Sequence, residues 1–379
     1  MTAFKLRELR ANPMKLLHRF FGPHHHRNAI HNLEYLQSLL SGRPFPVWAY
    51  ILLTRKCNLT CSYCYVTEDK LKEMGLSTPK KEMDLSELKY TVDKLASMGT
   101  RWISFFGGEP TLRKRELLKV IEYASKSKQI FTQLPTNAFL LKDETYVENL
   151  GQAGIGLIDV SLDSVARFDA SKKDLYHREE VFETLFRGRE RHRYGIKTNL
   201  VLTKGNLDQL TPVMDFADRH NIIISIRLAF RPPIKPTGWK EETDVFFSSD
   251  PEDVKMVDDA ANTILQRKAD GIVTTEPNEY YHAMKRHVRG EAGIWKCDAG
   301  KHHLTIDSDG AIMQCSVLLD GLGTTVFELD KRYFEKLENA IEDNLRKCND
   351  NCLAAAYFCS RHYRNNPTSI FAQGFLEKL

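Results

Sequence analysis

The chain has 379 residues, of which 42% are hydrophobic and 27% charged, with a formal net charge of +4. These proportions are typical of a globular protein with one large and one smaller domain, and no run of eighteen apolar residues indicates a membrane span. The mild charge gives no reason to expect a nucleic-acid partner. Eight cysteines without a secretory signal favour a reducing cytoplasm, where cysteines bind metal more often than they form disulfides.

Residues 1–45 form a basic amphipathic extension that differs from the rest of the chain. Apolar residues alternate with Lys and Arg over residues 1–21, and Pro13 interrupts any single helix. The pattern suits peripheral contact with an anionic membrane or docking of a partner, whereas packing as a capping helix against its own domain is the favoured alternative. The three histidines at 24–26 point in different directions on any regular element, which favours a solvated loop over a metal site.

Residues 46–232 alternate strand and helix patterns, which is typical of a parallel sheet. Six apolar runs predict strands, at 48–54, 102–106, 130–134, 155–162, 196–202 and 222–230. Helical patterns fill the gaps, at 84–98, 115–125, 144–150, 181–194 and 207–219, and the first begins with a capping box formed by Asp84 and Glu87. The six units predict an α/β fold, a partial (β/α)6 barrel, followed by a linker and helical segment at 233–290.

The most informative residues are Cys57, Cys61 and Cys64, which directly follow the first predicted strand. Three thiolates within eight residues, with no nearby fourth, favour an iron–sulfur cluster that keeps one iron open for a substrate. A structural zinc site would need a further pair of cysteines or histidines close by. Buried inert cysteines, the other alternative, are not expected among Asn, Thr and Ser.

Polar residues and glycines follow the next three predicted strands. They are Gly107, Gly108, Glu109 and Pro110 after the second, Asn137 after the third, and Ser161 and Asp163 at the end of the fourth. The carboxyl ends of parallel strands meet on one face, so we expect these residues to surround the cysteines. Two glycines let the backbone approach a ligand closely, and Glu109 can accept hydrogen bonds from an ammonium group. The alternatives are a tight turn with a solvated Glu109 and a helix cap at Asp163.

The Cys-x3-Cys-x2-Cys-aromatic motif and the residues at the strand ends resemble those of the radical S-adenosylmethionine (radical SAM) superfamily. The resemblance implies a 4Fe–4S cluster on the three cysteines, reductive cleavage of SAM to a 5′-deoxyadenosyl radical, and abstraction of hydrogen from a substrate. It also implies a set of SAM-contacting residues: Tyr63, Tyr65, Gly107, Gly108, Glu109, Pro110, Asn137, Ser161 and Asp163. Arg178, Arg187 and Arg189 are candidates for pairing with the SAM carboxylate.

Residues 291–379 contain the five remaining cysteines: Cys297, Cys315, Cys348, Cys352 and Cys359. Asp309-Gly310 between two apolar runs predicts a β-hairpin that returns Cys315 to the neighbourhood of Cys297. The spacing of these two cysteines around Gly310 resembles the SPASM and twitch extensions of radical SAM enzymes. That resemblance implies one auxiliary 4Fe–4S cluster on Cys297, Cys315 and two of the last three. The leftover thiol is then inert, a hydrogen-bond donor to the cluster, or a hydrogen-atom donor to a substrate; a zinc ribbon is the competing interpretation.

The combined prediction is a radical SAM oxidoreductase or transforming enzyme, cytoplasmic or membrane-associated. Its auxiliary cluster would assist electron transfer during dehydrogenation, epimerisation or coupling of a small molecule or lipid. A peptide-modifying enzyme is the first alternative. It is weakened because peptide-modifying members often carry a leader-binding domain before the barrel, and about 45 residues are short for such a domain. A non-catalytic iron–sulfur or zinc protein that senses redox state or serves as a scaffold is the second, and it has no use for the polar residues at the strand ends. A flavodoxin or ferredoxin is the expected reductase.

Overall fold

The structure is a computed structural model that describes residues 46–232, 235–240, 244–318, 321–330, 332–348 and 352–366. The predicted extension at 1–45, with the proposed membrane-contacting segment at 1–21, lies outside the described residues.

Nine strands within the described ranges form one sheet in the order β6-β5-β4-β3-β2-β1-β7-β8-β9. The strands are β1 (Trp48–Thr54), β2 (Trp102–Gly107), β3 (Phe131–Thr136), β4 (Leu157–Ser161), β5 (Gly195–Leu202), β6 (Ile223–Leu228), β7 (His303–Ile306), β8 (Ala311–Met313) and β9 (Gly321–Thr325). Neighbouring strands from β6 to β7 are parallel, and the last two pairs are antiparallel. The sheet does not close, so the predicted α/β partial barrel is confirmed.

Helices follow the strands on the outside of this sheet. They are α1 (Glu68–Glu73), α2 (Leu85–Ser97), α3 (Lys114–Glu122), α4 (Glu144–Ala153), α5 (Glu179–His192), α6 (Leu210–Arg219), α7 (Pro251–Ala269), α8 (Asn278–Val288), α9 (Tyr333–Lys347) and α10 (Ala355–Asn365). The capping box at the start of α2 is confirmed, because Asp84 accepts from the Glu87 amide and Glu87 accepts from the Asp84 amide. In the part of the chain that the structure describes, no helix has both the length and the apolar character needed to cross a bilayer.

The barrel strands have two different faces because side chains alternate along a strand. Ile51, Phe105 and Ile158 belong to the continuous core between sheet and helices. Their neighbours Tyr50 and Asp159 therefore project to the interior of the barrel. Apolar residues thus hold the helices on the outside, while the interior carries polar side chains.

The predicted C-terminal hairpin is confirmed, with Thr305 of β7 opposite Met313 of β8. The structure adds that β7 pairs in parallel with β1, Trp48 lying opposite His303. The hairpin therefore extends the barrel sheet rather than forming a sheet of its own. A strand pattern at 303–306 could not show this, because the pairing joins segments some 250 residues apart. The boundaries predicted at 233 and 291 stay predictions.

Helix α10 contacts both sides of the open barrel. Near its beginning, the Tyr357 hydroxyl lies 3.1 Å from the Thr305 hydroxyl of β7. Near its end, the Tyr363 hydroxyl donates to the Thr275 carbonyl at 2.6 Å. The neighbouring Thr274 forms a parallel bridge to Ile224 of β6. The last described helix therefore bridges the barrel between β7 and the free edge of β6.

Candidate active site at the carboxyl ends of the strands

Cys57, Cys61 and Cys64 lie in the loop between β1 and α1, at the carboxyl end of the barrel. Cys61 is buried and the other two are half-buried. The Cys64 amide donates to the Cys61 carbonyl at 3.1 Å, and the Leu59 amide donates to the Cys57 sulfur at 3.4 Å, so the loop is held by its own backbone. Burial raises the pKa of the Cys61 thiol to about 11 and also raises that of Cys57. Thiolates here therefore need positive charge beside them.

Lys173 supplies positive charge at this loop, and sequence reasoning missed it. Its ammonium lies 3.2 Å from the Tyr63 hydroxyl and over the Tyr63 ring. Burial disfavours the charged form, but Tyr63, Cys61 and Asp163 outweigh burial and raise the pKa of Lys173 well above its ordinary value. No local motif marks Lys173, because it approaches the cysteines from the irregular segment that follows β4.

The two glycines at the end of β2 lie directly against the beginning of the cysteine loop. A Cβ on Gly107 would lie 2.1 Å from the Thr54 carbonyl oxygen, and one on Gly108 would lie 2.2 Å from that of Lys56. The Gly108 amide donates to the Thr54 carbonyl and the Glu109 amide to the Lys56 carbonyl, both at 2.8 Å. The glycines are therefore required by the close packing of the two loops, whatever ligand lies above them.

Glu109 is 1% exposed and ties the loop after β2 to the end of β3. It accepts hydrogen bonds from the hydroxyls of Thr111 and Thr136, both at 2.6 Å, and from the Asn137 amide at 2.7 Å. Burial raises the pKa of this carboxyl, although these hydrogen bonds act in the opposite direction. The alternative of a solvated Glu109 is wrong, and its predicted contact with SAM stays a prediction. The adjacent Pro110 is buried at the start of the following turn.

Asn137 and Ser161 present polar groups at the ends of β3 and β4. The Asn137 side chain donates to the Asn58 side-chain oxygen at 2.8 Å, so it fixes the cysteine loop from the opposite side. Ser161 is half-buried, and its hydroxyl makes no hydrogen bond to a described residue. Ser161 therefore has a hydroxyl available to a ligand at the rim.

Asp163 positions the tyrosine of the cysteine motif. It is fully buried and accepts hydrogen bonds from the Tyr63 hydroxyl, from the Ser171 hydroxyl at 2.7 Å and from the Val201 amide at 3.2 Å. No helix begins in the described chain between Leu162 and α5, so the alternative of a helix cap is wrong. The predicted contact of Asp163 with SAM stays a prediction, and so does that of Tyr63.

Arg178 is the arginine that the structure brings into the site. Its guanidinium donates to the carbonyls of Asn137 at 2.5 Å and Ser161 at 2.8 Å, and its third nitrogen, Nη2, is buried without a hydrogen-bond partner among the described residues. Burial lowers the pKa of Arg178 to about 10, which leaves it charged at neutral pH. Arg187, in contrast, pairs with Glu144 on the surface.

Tyr65 lies between the two cysteine-rich parts of the molecule. It follows Cys64 directly, its ring centroid lies 5.5 Å from that of Phe230, and it packs against the small apolar cluster that includes Cys315 and Val317. Burial raises the pKa of Tyr65 well above its ordinary range. Its predicted contact with SAM stays a prediction.

Four of the five C-terminal cysteines line one apolar cavity. The cavity is lined by Cys297, Cys315, Cys348 and Cys352, together with residues that include Trp295, Val317, Leu318, Ala354 and Tyr357. Burial raises the pKa of Cys315 to about 12 and that of Cys297 well above its ordinary value. Helix α9 ends at Lys347, so Cys352 reaches the cavity from a loop rather than from the same helix face as Cys348.

Cys359 lies elsewhere, on α10. Its sulfur lies 3.8 Å from the Thr275 carbonyl, and the side-chain charges that act on it are those of Glu276, Arg227, Lys197 and Lys268. These belong to the barrel interior and the segment beside β6. The structure therefore separates Cys359 from the other four, a choice that the sequence left open.

A family model described as the radical SAM superfamily matches residues 51–217, the range that contains the three-cysteine loop and the strand-end residues. Residues 51–217 therefore match a radical SAM domain. This agrees with the motif resemblance, and the domain covers β1 to α6 almost completely.

Curated relatives match about half of this chain. Fe-coproporphyrin III synthase of Methanosarcina barkeri is 30% identical over 190 residues, 49% of this chain and 44% of that protein. GTP 3′,8-cyclase of Staphylococcus epidermidis is 31% identical over 198 residues, 50% of this chain and 55% of that protein. The chain spans about half the length of the curated relatives it matches.

Solved structures resemble the radical SAM domain together with much of the rest of the chain. SuiB of Streptococcus suis gives a TM-score of 0.57 at 19% identity, covering 84% of this chain and 71% of that one. The structure of a tagged form of anSMEcpe with bound AdoMet gives 0.56 at 18% identity, covering 86% of this chain and 98% of that one. At these identities the likeness concerns the fold, which agrees with the partial barrel.

Proposed function

We propose that this protein is an enzyme that holds a 4Fe–4S cluster on Cys57, Cys61 and Cys64 and binds SAM beside it. The observation that carries the proposal is a loop of three thiols at the rim of a radical SAM domain, with no fourth cysteine at that loop in the described chain. Three protein ligands leave one position of a four-iron cluster open to a substrate. When bound, the cluster and SAM supply a 5′-deoxyadenosyl radical, the group that abstracts hydrogen.

The residues around the loop fit such a ligand. Arg178 has a buried Nη2 without a partner, which suits a carboxylate such as that of SAM. The Ser161 hydroxyl suits a ribose hydroxyl. Lys173 offsets the negative charge that accumulates when thiolates bind a cluster. The chain thus supplies the anion site, the hydroxyl and the countercharge, and the close packing of Gly107 and Gly108 fixes the cysteine loop beside them.

We further propose an auxiliary 4Fe–4S cluster held by Cys297, Cys315, Cys348 and Cys352. The shared cavity supports it. Among the described residues, no three Cys, His, Asp or Glu side chains converge as the ligands of a single ion would. Sulfurs spread around a cavity suit a cluster of several atoms better than one zinc ion. Tyr65, which follows Cys64, packs against the cluster that includes Cys315, and this contact favours electron traffic between the two sites.

The reaction we favour is an oxidoreductase-type transformation of a small molecule or lipid, by dehydrogenation, epimerisation or coupling. The names of the curated relatives, Fe-coproporphyrin III synthase and GTP 3′,8-cyclase, support small-molecule chemistry. Modification of a peptide is the second candidate, because one structural neighbour, SuiB, is described bound to its precursor peptide.

A small acidic reductase such as flavodoxin or ferredoxin is the proposed electron donor. A cleft of about 270 Å³ beside the cysteine loop is lined by four basic residues, Arg55, Lys56, Lys80 and Lys81, and by two acidic ones, Glu68 and Glu82, and this basic excess suits an acidic partner. A cytoplasmic location is proposed because none of the eight cysteines is in a disulfide and clusters need reducing conditions.

Anaerobic reconstitution tests the proposal. With iron, sulfide, SAM and dithionite, we expect about eight irons per chain and release of 5′-deoxyadenosine, measured by iron assay and chromatography. A parallel sample without reductant is the control and should release none. A reconstituted protein that holds zinc, or that binds iron but leaves SAM intact, would contradict the radical mechanism.

A further inference from the structure

The interior wall of the barrel carries a layer of polar side chains that the SAM site does not use. Asp159 of β4 lies opposite Lys197 of β5, and their side chains form an ion pair at 2.8 Å. Ser225 and Arg227 follow on β6. Their strand neighbours Ile158, Ile196 and Ile226 belong to the core beneath the helices. By alternation, the polar set projects inward, below the rim where the cysteine loop lies.

The charges in this interior are paired with one exception among the described residues. Asp159 is matched by Lys197. Glu276, beside β6, accepts hydrogen bonds from the Ser225 hydroxyl at 2.5 Å, the Ile226 amide at 3.1 Å and the Tyr281 hydroxyl at 3.2 Å. Glu276 therefore has its negative charge stabilised without needing a cation in contact.

Arg227 is the exception. Its guanidinium donates to the Ser225 hydroxyl at 2.7 Å, and no described carboxylate lies within 4 Å of it. Its Nε is buried and has no hydrogen-bond partner in the described chain. The side chain as a whole is half-buried, so part of the fork still faces accessible space. Burial disfavours its charge, but Glu276 and Asp159 raise the pKa of Arg227 from a distance, without contacting it. A buried guanidinium nitrogen that no anion contacts is costly, and the planar fork matches a carboxylate.

The position of Arg227 on the strand places it near the reaction. It lies opposite Val201 of β5, and the Val201 amide in turn bonds Asp163, the residue that positions Tyr63 of the cysteine motif. Arg227 is therefore connected to Asp163, beside the cysteine loop, through one strand pairing and one hydrogen bond. A substrate held there would lie beneath SAM, inside the barrel.

We propose that Arg227 binds a carboxylate of the substrate inside the barrel. The substrate class is thus an organic carboxylate, and this inference rests on the proposed function, because the site above it defines where substrate must lie. Tyr50, whose electrostatic neighbours include Arg227, Asp159 and Cys359, borders the same space.

Cys359 provides a built-in reporter of this site. Burial raises the pKa of its thiol well above the ordinary value, and the Arg227 charge acts in the opposite direction. In the fully loaded enzyme the other seven cysteines would hold the two clusters, so Cys359 alone is left for alkylation. Iodoacetate and iodoacetamide are nearly equal in size, but only iodoacetate carries a carboxylate. In either reaction the sulfur attacks the methylene carbon, the S–C bond forms, the C–I bond breaks, iodide leaves and the thiol proton passes to solvent.

The experiment compares the two reagents on the reconstituted holoenzyme, with labelling of the Cys359 peptide followed by mass spectrometry. We expect iodoacetate to label faster than iodoacetamide, with saturation kinetics and with competition by propionate. Arg227→Gln should reduce the preference for iodoacetate about tenfold or more, since a hydrogen bond to a charged group contributes about 1.5–3 kcal/mol. Arg267→Gln is the matched control, because Arg267 pairs with Asp215 away from the barrel interior, and it should keep the wild-type preference.

Iron content and the thermal midpoint report whether Arg227→Gln is folded, and Arg227→Lys, which keeps the charge without the fork, should retain part of the preference. Equal labelling by both reagents, or an unchanged preference in Arg227→Gln, would overturn the inference. If the buried Cys359 thiol reacts with neither reagent, calorimetric titration with propionate decides instead, and equal affinity in the wild type and in Arg227→Gln overturns it. The wild-type assay for 5′-deoxyadenosine separates this from the proposed function. SAM cleavage without a carboxylate preference refutes only the Arg227 site, whereas the preference without SAM cleavage leaves Arg227 as an anion site and refutes the radical mechanism.

Discussion

The two cysteine-rich regions differ in what surrounds the sulfurs. At the rim, Cys57 and Cys64 are half-buried among polar groups such as Asn58, Asn137 and Lys173. In the C-terminal cavity, four cysteines lie against apolar side chains that include Trp295 and Leu318. The rim can therefore admit a polar ligand and hold it by hydrogen bonds, whereas the lining of the cavity offers few hydrogen-bonding groups. This difference is what we expect if chemistry takes place at the rim and the cavity holds the proposed auxiliary cluster.

The largest expected effect is the loss of SAM cleavage when one cysteine of the rim loop is removed. Cys61→Ala should abolish release of 5′-deoxyadenosine, because a cluster with two protein ligands cannot hold SAM in place. Iron should fall from about eight to about four per chain, since the second cavity keeps its four thiols. Chromatography and iron assay measure both. Cys359→Ala is the control and should retain about eight irons; substantial SAM cleavage by Cys61→Ala would break the distinction between the two regions.

The next effect tests the polar character of the rim. Arg178→Met should weaken SAM binding about thirtyfold or more, because removing one partner of a buried charge pair costs about 2 kcal/mol or more. Equilibrium dialysis with labelled SAM measures it.

Arg187→Met, which removes an arginine paired with Glu144 on the surface, is the matched control and should bind SAM normally. Since Arg178 also bonds two carbonyls, iron content must show that the variant is folded. A folded Arg178→Met protein with normal SAM affinity would remove Arg178 from the proposed site.

The enclosed site gives a smaller, selective effect. Cys352→Ala should lose the auxiliary cluster and keep about four irons at the rim, because it removes one of the four sulfurs that share the cavity. Electron paramagnetic resonance of the reduced protein should then show one cluster whose signal still changes on addition of SAM. If instead Cys359→Ala loses this iron and Cys352→Ala keeps it, the assignment of the four ligands is wrong.

The smallest effect concerns the interior wall between the two regions. Burial lowers the pKa of His303 to about 3, and its ring lies between Tyr50 and Tyr357. As pH falls below about 6.5, His303 becomes protonated in the unfolded chain but stays neutral in the folded one. It therefore lowers the free energy of unfolding by about 1.4 kcal/mol per pH unit between about pH 6.5 and 3, and it has no such effect above pH 6.5.

His303→Phe should consequently flatten the loss of stability on acidification, whatever its effect at pH 7. Thermal midpoints between pH 7.5 and 5.5 measure the slope. His282→Gln, a change at an exposed histidine on α8, is the control and should keep the wild-type slope. An equally steep slope in His303→Phe would show that the ring becomes charged in the folded protein.

Local patterns predicted the barrel well. The bounds of β1 agree at both ends with the run at 48–54, and the capping box of α2 and the hairpin at Asp309-Gly310 are confirmed. Each depends on residues close in the chain, through alternation, capping or turn geometry. The α10 helix and the pairing of β7 with β1 were not predicted, because both depend on contacts between distant segments.

The residues of the candidate site also divide into those that a local motif predicts and those that only the structure identifies. Its cysteines and strand-end residues are visible as motifs, since a cluster ligand or a glycine turn needs a particular residue type at a fixed spacing. Arg178 could not be chosen over Arg187, because what distinguishes it is burial against the carbonyls of two other loops. Lys173 and Arg227 carry no motif, and their importance appears only when the charges around them are counted.

The sequence by itself determined that strands and helices alternate and that three thiols follow the first strand, because periodicity and spacing are local properties of the chain. Only the tertiary structure decided that four of the five later cysteines share a cavity while Cys359 faces the barrel, and that Arg227 has no described carboxylate partner. The physical reason is that burial and charge pairing are set by which distant segments pack together, and a single chain pattern is compatible with many such packings.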